Sequence, residues 1–197
     1  MTDAAGISFP ERFPLLETER LVLRRLEVED AGALFEILAD PETMRYWSSP
    51  PMSDVAEAEA LVARAHSAFS RRESLRWGVT RRGESEVIGS VSLFALDPPN
   101  RRGEIGYVLA REHWGHGYNH EALARVLDYS FGELGLNRLE ADLDPRNAAS
   151  VKAVARLGFV EEGLLRERWL VSGQVSDSLI AGLLCADWVA GVREAGQ

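Results

Sequence analysis

Cysteine is nearly absent from this 197-residue chain. Cys185 stands alone, so no intrachain disulfide can form and nothing points to an oxidising compartment. Positive charge is also in short supply: 22 Lys and Arg face 31 Asp and Glu, a formal net charge of −9. That balance excludes a general nucleic-acid binder, which needs a basic face. Long apolar runs are missing too. The stretch Leu179 to Ala186 is stopped by Asp187, far short of the roughly 20 residues that cross a bilayer. Met1 to Pro14 carries Asp3 and Glu11 around no apolar core, so a secretory leader is not expected. What is present is 46% hydrophobic residues, enough at this length to bury about 70% of the unfolded surface in one domain. The expectation is a cytoplasmic, acidic, globular chain without internal repeats.

Seven strands are expected, at about 20–26, 75–80, 86–96, 103–109, 138–143, 159–171 and 175–187. Helices are expected at 31–38, from an N-cap at Ser53 to about 72, at 118–134 and at 148–157. In the third helix the apolar residues at 123, 126, 127, 131 and 134 keep helical spacing, and Gly135 suits the position just past its end. The run of consecutive strands in the middle implies antiparallel pairing. The passage from 104 to 143 is strand, glycine turn, helix and strand, a crossover that implies one parallel contact. The fold class is therefore mixed α/β: one mostly antiparallel sheet with helices on both faces. Met1 to Leu16 reads as a loose lead-in.

Two segments carry chemistry. In the first, the strand Glu104-Ile-Gly-Tyr-Val-Leu109 leads through Trp114-Gly-His-Gly-Tyr-Asn119 into a helix. Glycines let main-chain N–H groups turn toward a ligand without a Cβ clash, and the first N–H groups of a helix favour an anion. The alternative is a plain tight connection. A Walker loop is excluded because no Gly-Lys-Ser/Thr follows, and the dinucleotide fingerprint G-x-G-x-x-G is missing. In the second segment, Asn147 and Ser150 stand at the start of a helix ending at Gly158, where both also suit capping.

These residues resemble a family. Trp114-Gly-His-Gly-Tyr118 with Glu121-Ala-Leu, about thirty residues ahead of Asn147-x-x-Ser150 and Leu157-Gly-Phe159, is similar to GNAT-type acyltransferases. The subgroup most alike is that of the RimJ/RimL-like N-acetyltransferases. Glu19-Arg-Leu-Val-Leu-Arg24, Glu104-Ile-Gly-Tyr107, Gly173 and Asp177 fit the same pattern. The likeness spans roughly 17–187, leaving 1–16 as lead-in, 17–188 as the domain and 189–197 as a tail. It implies that the sheet is splayed at its centre and that acetyl-CoA is the donor. The turn residues Trp114, Gly115, His116, Gly117, Tyr118, Asn119 and His120 would hold its pyrophosphate. Tyr107, Val108 and Leu109 would line the pantetheine arm, with Asn147 and Ser150 alongside. Trp114 stands where Gln or Arg is usual, and Asn119 where Gly or Ala is usual.

The implied reaction is direct attack of a primary amine on the thioester. It needs a base, an oxyanion donor and an acid for the departing thiolate. Glu104 is the candidate base, a main-chain N–H near Val108 the oxyanion donor, and Ser150 the candidate acid. Tyr107 and Tyr118 are further donors. An exposed carboxylate and a helix cap are the bland roles of Glu104 and Ser150. His113, His116 and His120 are spaced like metal ligands, but Gly115 and Gly117 interrupt any shared helix face, so no metal is expected. The acceptor side is expected from Met44 to Met52, where Tyr46 and Trp47 could wall a pocket, the helix after Ser53 and the turn 172–175. A protein N-terminal amine heads the acceptors, followed by small amines. A non-catalytic acyl-CoA sensor is the reading from another class. The expected partners are acetyl-CoA and an amine, with no nucleic acid or membrane. A homodimer is compatible with the family. Since CoA is an anion, the acidic surplus is assigned to the acceptor side.

Overall fold

A computed structural model describes residues 6–195, with side chains described as far as Gly191. The first five residues of the expected lead-in and the last two of the expected tail lie outside the described residues. One eight-stranded sheet has the order β1-β2-β3-β4-β5-β6-β8-β7. Its strands are β1 (Leu16–Glu17), β2 (Leu21–Arg25), β3 (Leu75–Arg81), β4 (Val87–Asp97), β5 (Arg102–Leu109), β6 (Arg138–Leu143), β7 (Val160–Val171) and β8 (Gln174–Leu184). The helices are α1 (Ala31–Ala39), α2 (Val55–Ser70), α3 (Tyr118–Gly132), α4 (Ala148–Ala155) and α5 (Cys185–Ala195). The mixed α/β class and the single parallel contact, β5 against β6, are as expected. The eighth strand is the two-residue β1, too short to leave a periodic signal.

Strand alternation sorts the two faces of the sheet. Leu75, Trp77, Val91, Leu93 and Ile105 belong to the main core with Leu123, Val126 and Leu127 of α3. Arg76, Ser90, Ser92, Gly106 and Val108 alternate with them on the other face, and there Val108 packs with Ile37, Leu38 and Met44 of α1 and the loop after it.

Three expectations need correction. The N-cap of α2 is Asp54, not Ser53: Asp54 accepts from the Ala56 N–H at 2.9 Å, and Glu57 returns a carboxylate oxygen to the Asp54 and Ser53 N–H groups. The last strand stops at Leu184, and the chain continues as α5 instead of a tail. Cys185 and Trp188, three apart and so on one helical face, pack on the main core, and the Trp188 indole donates to Asp128 of α3 at 2.9 Å. The lead-in is not loose over its described residues. Phe9 packs tilted against Phe69 at 5.4 Å, and Phe13 meets Phe69 and Trp77 edge-on at 5.1 and 5.6 Å.

Trp77 is the centre of that packing. It is fully buried, meets Tyr129 at 5.8 Å and donates its indole N–H to the Pro14 carbonyl at 2.9 Å. Trp77→Ala is expected to lower the free energy of unfolding by about 3–5 kcal/mol. Urea titration measures it, and Trp77→Phe should lose less.

Candidate active site

β5 and β6 pair only at Arg102↔Arg138, Gly103↔Leu139 and Glu104↔Glu140. Beyond Glu104 they part, while β6 goes on pairing with β8 to Leu143. β5 then runs through a 3-10 turn into α3, and β6 runs through Asp144-Pro145 toward α4. The gap therefore lies at the carboxyl ends of two parallel strands, with two helix N-termini beside it, where α/β sheets commonly bind ligands.

A cleft of about 640 Å³ fills the outer part of the gap. Tyr107, Val108, Leu109, Trp114, Gly115, Gly117, Tyr118, Asn119, His120, Asn147 and Ser150 all line it. His116 is the one turn residue expected there that does not line it. Its ring stacks on Tyr118 at 5.7 Å instead. Gly115 and Gly117 adopt φ of +77° and +79°, a left-handed backbone that strains other residues. No side chain caps α3 at Gly117, so the N–H groups of its first turn remain available to an anion. Arg156 adds a cation to the lining. These features fit a pyrophosphate-bearing ligand.

The edge of β5 is also set by alternation. Ala110 N–H donates to the Ile88 carbonyl at 2.8 Å. The N–H of Val108 then faces β4, and those of Tyr107 and Leu109 face the gap. The oxyanion donor expected near Val108 is thus better sought one residue to either side. The Leu109 carbonyl is already occupied by the Trp114 indole N–H at 2.7 Å, which explains how Trp114 serves the turn without a Gln or Arg side chain.

A second cleft, of about 350 Å³, adjoins the first. Tyr46, Trp47, Tyr107, Asn147 and Ser150 line both. Glu104 lines only the second, with Asp142, Asp144, Arg76, Arg168 and Trp169 among its neighbours. The loop carrying Tyr46 and Trp47 contributes as expected. Helix α2 and the turn 172–175 do not line the second cleft, because β7 closes that side with Arg168 and Trp169.

Charge within the second cleft is uneven. Asp142 pairs with Arg168 at 3.2 Å and Asp144 with Arg146 at 2.6 Å. Glu140 is bound by Arg138 and Arg102 at 2.8 and 3.2 Å. Glu104 has no such pair among the described residues. Burial, then the charges of Glu140 and Asp142, raise its pKa, against a smaller pull from Arg168 and Arg102. Burial also raises that of the Tyr107 phenol, which donates to the Ser150 carbonyl at 3.4 Å. Asn147 caps α4, accepting from the Ser150 N–H at 3.1 Å. That leaves the Ser150 hydroxyl at the junction of the clefts. Among the described residues no group of three or more His, Cys, Asp or Glu is placed to hold a metal. No described helix is long and apolar enough to cross a membrane.

The chain matches the family model described as acetyltransferase (GNAT) domain over residues 20–160. It belongs to the GNAT acetyltransferase family. It is 38% identical over 169 residues to the Bacillus licheniformis protein named uncharacterized N-acetyltransferase p20, covering 86% of this chain and 95% of that one. It is 30% identical over 159 residues to spermidine N(1)-acetyltransferase of Vibrio cholerae, covering 80% and 89%. A crystal structure of spermidine N-acetyltransferase from Vibrio cholerae, in complex with CoA and spermine, superposes with a TM-score of 0.77. There the identity is 27%, over 87% of this chain and 99% of that one. The acetyltransferase takes acetyl-CoA as its acyl donor.

In the sequence, Arg20 and Glu121 of this acetyltransferase stand out only as motif matches, with no role attached. The structure joins them. Arg20 Nε donates to Glu121 Oε2 at 2.7 Å, its Nη1 donates to the His116 carbonyl at 3.0 Å, and its guanidinium lies 4.8 Å from the Tyr118 ring centre. Burial works against the Glu121 charge, but hydrogen bonds from Thr18 and Arg20 outweigh it and hold its pKa low. Arg20 thereby fixes the glycine turn from behind. Arg20→Ala is expected to raise KM for acetyl-CoA about tenfold, by loosening a preorganised anion site, with a smaller effect on kcat. Steady-state kinetics with acetyl-CoA varied checks the split.

Proposed function

We propose that this acetyltransferase transfers an acetyl group to the N-terminal amine of a protein or peptide. The observation that carries amine acetylation is the meeting of a donor cleft and a second cleft at Tyr107 and Ser150, with the unpaired Glu104 on the second side. Peptide acceptors are favoured by the lining of that second cleft. Its lining combines aromatic side chains with charges of both signs, which suits a polypeptide end better than a uniformly cationic chain. The second reading is a small amine, which the Vibrio cholerae relative named for spermidine supports.

In this mechanism the neutral amine nitrogen attacks the thioester carbonyl carbon. A C–N bond forms and the C–S bond breaks. Glu104 takes the proton of the incoming ammonium, directly or through a water. After attack the nitrogen sheds its second proton, which the Ser150 hydroxyl takes up as it passes its own to the departing sulfur, with Tyr107 beside it as a second protonated donor. The N–H groups on the free edge of β5 stabilise the negative charge on the carbonyl oxygen. A raised carboxyl pKa makes Glu104 a stronger base.

Thiol release is the direct assay, run over peptides with different N-termini alongside polyamines, amino acids and aminoglycosides. Peptides should turn over fastest, and a panel that binds acetyl-CoA yet releases no thiol would favour the sensor reading. Glu104→Gln should lower kcat about 10²–10⁴-fold, the usual range for a general base, with KM for acetyl-CoA little changed. Activity requires ionised Glu104, so the rate should rise with pH through a midpoint above the ordinary glutamate value. Asp142→Asn removes one repelling charge and frees Arg168, so it should move that midpoint to lower pH. An unmoved midpoint would assign the limb to another group.

A further inference from the structure

Arg76 sits on β3 in the row Arg76↔Ser92 of β3 and β4, and Ser92↔Gly106 of β4 and β5. It is a second-cleft residue that the acetyl-transfer mechanism leaves unused. Its guanidinium donates to the Ser90 hydroxyl at 3.4 Å, and no carboxylate among the described residues pairs with it. Arg168 and Arg146 differ: each is already matched by an aspartate. Ser90 and Ser92 are buried at 1% and 5% exposure and line the same cleft, with Ser92 directly across the ladder from Arg76.

A half-buried guanidinium without a counter-charge is costly unless a ligand supplies one. Its planar fork matches a carboxylate in two-point fashion. Burial, then the charge of Arg64, pushes its pKa down to about 10, so it remains charged at neutral pH. Glu104 lies in the same cleft on β5, two strands away and two residues along from Gly106, about 12 Å between backbones by the usual strand and residue spacings. The cleft thus holds one unpaired carboxylate and one unpaired guanidinium at separate ends.

We propose that Arg76, with the hydroxyls of Ser90 and Ser92, binds a carboxylate of the acceptor, so that the preferred substrate is a primary amine carrying a carboxylate within about 12 Å. An amino acid, a short peptide with a free C-terminus, or a protein N-terminus with an acidic residue close behind meets that description. A polyamine does not. This inference rests on the acetyl-transfer reading of the site and adds the class of acceptor to it.

The test uses matched pairs differing only in the carboxylate: a dipeptide against its C-terminal amide, and longer peptides with Glu or Gln in second position. Thiol release should give at least a tenfold higher kcat/KM for the acid of each pair. Arg76→Met should bring that ratio close to one, and Arg76→Lys should restore part of it. Equal rates for both members in the unaltered protein, or an unchanged ratio in Arg76→Met, would overturn the proposal. Calorimetric binding of the N-acetylated dipeptide and its amide reads the same preference without turnover. If no amine releases thiol, the acetyl-transfer reading falls, and binding still decides the carboxylate site. Should Arg76→Met fail to fold by circular dichroism, Ser92→Ala provides the second variant, and it too must narrow the ratio.

Discussion

The parting of β5 from β6 after Glu104 is the constraint on which the rest depends. A sheet interrupted at its centre leaves main-chain N–H and C=O groups without ladder partners, and buried groups of that kind must be satisfied elsewhere. Here the gap is wedged open by two short connections, one into α3 and one toward α4, both leaving at the carboxyl ends of the strands. The Trp114 indole satisfies one of the exposed carbonyls. The remaining edge of β5 is the natural partner for an extended, amide-bearing arm, as an added strand would be. Donor binding, oxyanion stabilisation and the junction between the two clefts all follow from that single break.

The net charge of −9 poses a second problem, because the donor is itself an anion. The chain resolves it locally. Positive potential in the donor cleft comes from first-turn N–H groups at α3, presented by two left-handed glycines and braced by Arg20 from the far side of the turn. Such dipoles need no excess of cationic side chains. They do depend on rigidity, which is why a salt-bridged arginine that does not line the cleft matters to it. A methyl group at Gly117 would meet Arg20 Nη2 at 3.4 Å as well as a strained φ, so turn and clamp constrain each other.

Much of this was legible in the residues. The strand, glycine turn and helix from Glu104 onward, and the Asn147 and Ser150 pair, were set by local chemistry: glycines at left-handed positions, a capping amide, and apolar residues at helical spacing. Those rules act over a few residues, so sequence shows them. What was illegible depends on distance along the chain. The role of Arg20 requires a partner 101 residues away. The packing of the lead-in requires Phe69 and Trp77, and the end of β8 is decided by the contact between Trp188 and Asp128 of α3. The lining of the second cleft by β7 comes from sheet order, which places β7 outside β8.

Charge distribution shows the same division. Composition, taken with the anionic donor that the family resemblance implies, assigns the acidic surplus to the acceptor side, where a cation must arrive. The structure divides that surplus: Asp142 and Asp144 are matched by Arg168 and Arg146, and the glutamate beside the break stays unpaired. A site that neutralises its own aspartates does not select for cationic charge in general. It concentrates basicity at one carboxylate, raised by burial and by its acidic neighbours, and leaves one guanidinium on the opposite side of the floor. Opposite charges held apart on a rigid sheet select for a molecule with the reverse arrangement, since any acceptor lacking one of them leaves a half-buried charge uncompensated. Selectivity of that kind arises from the penalty on the wrong acceptor as much as from attraction to the right one.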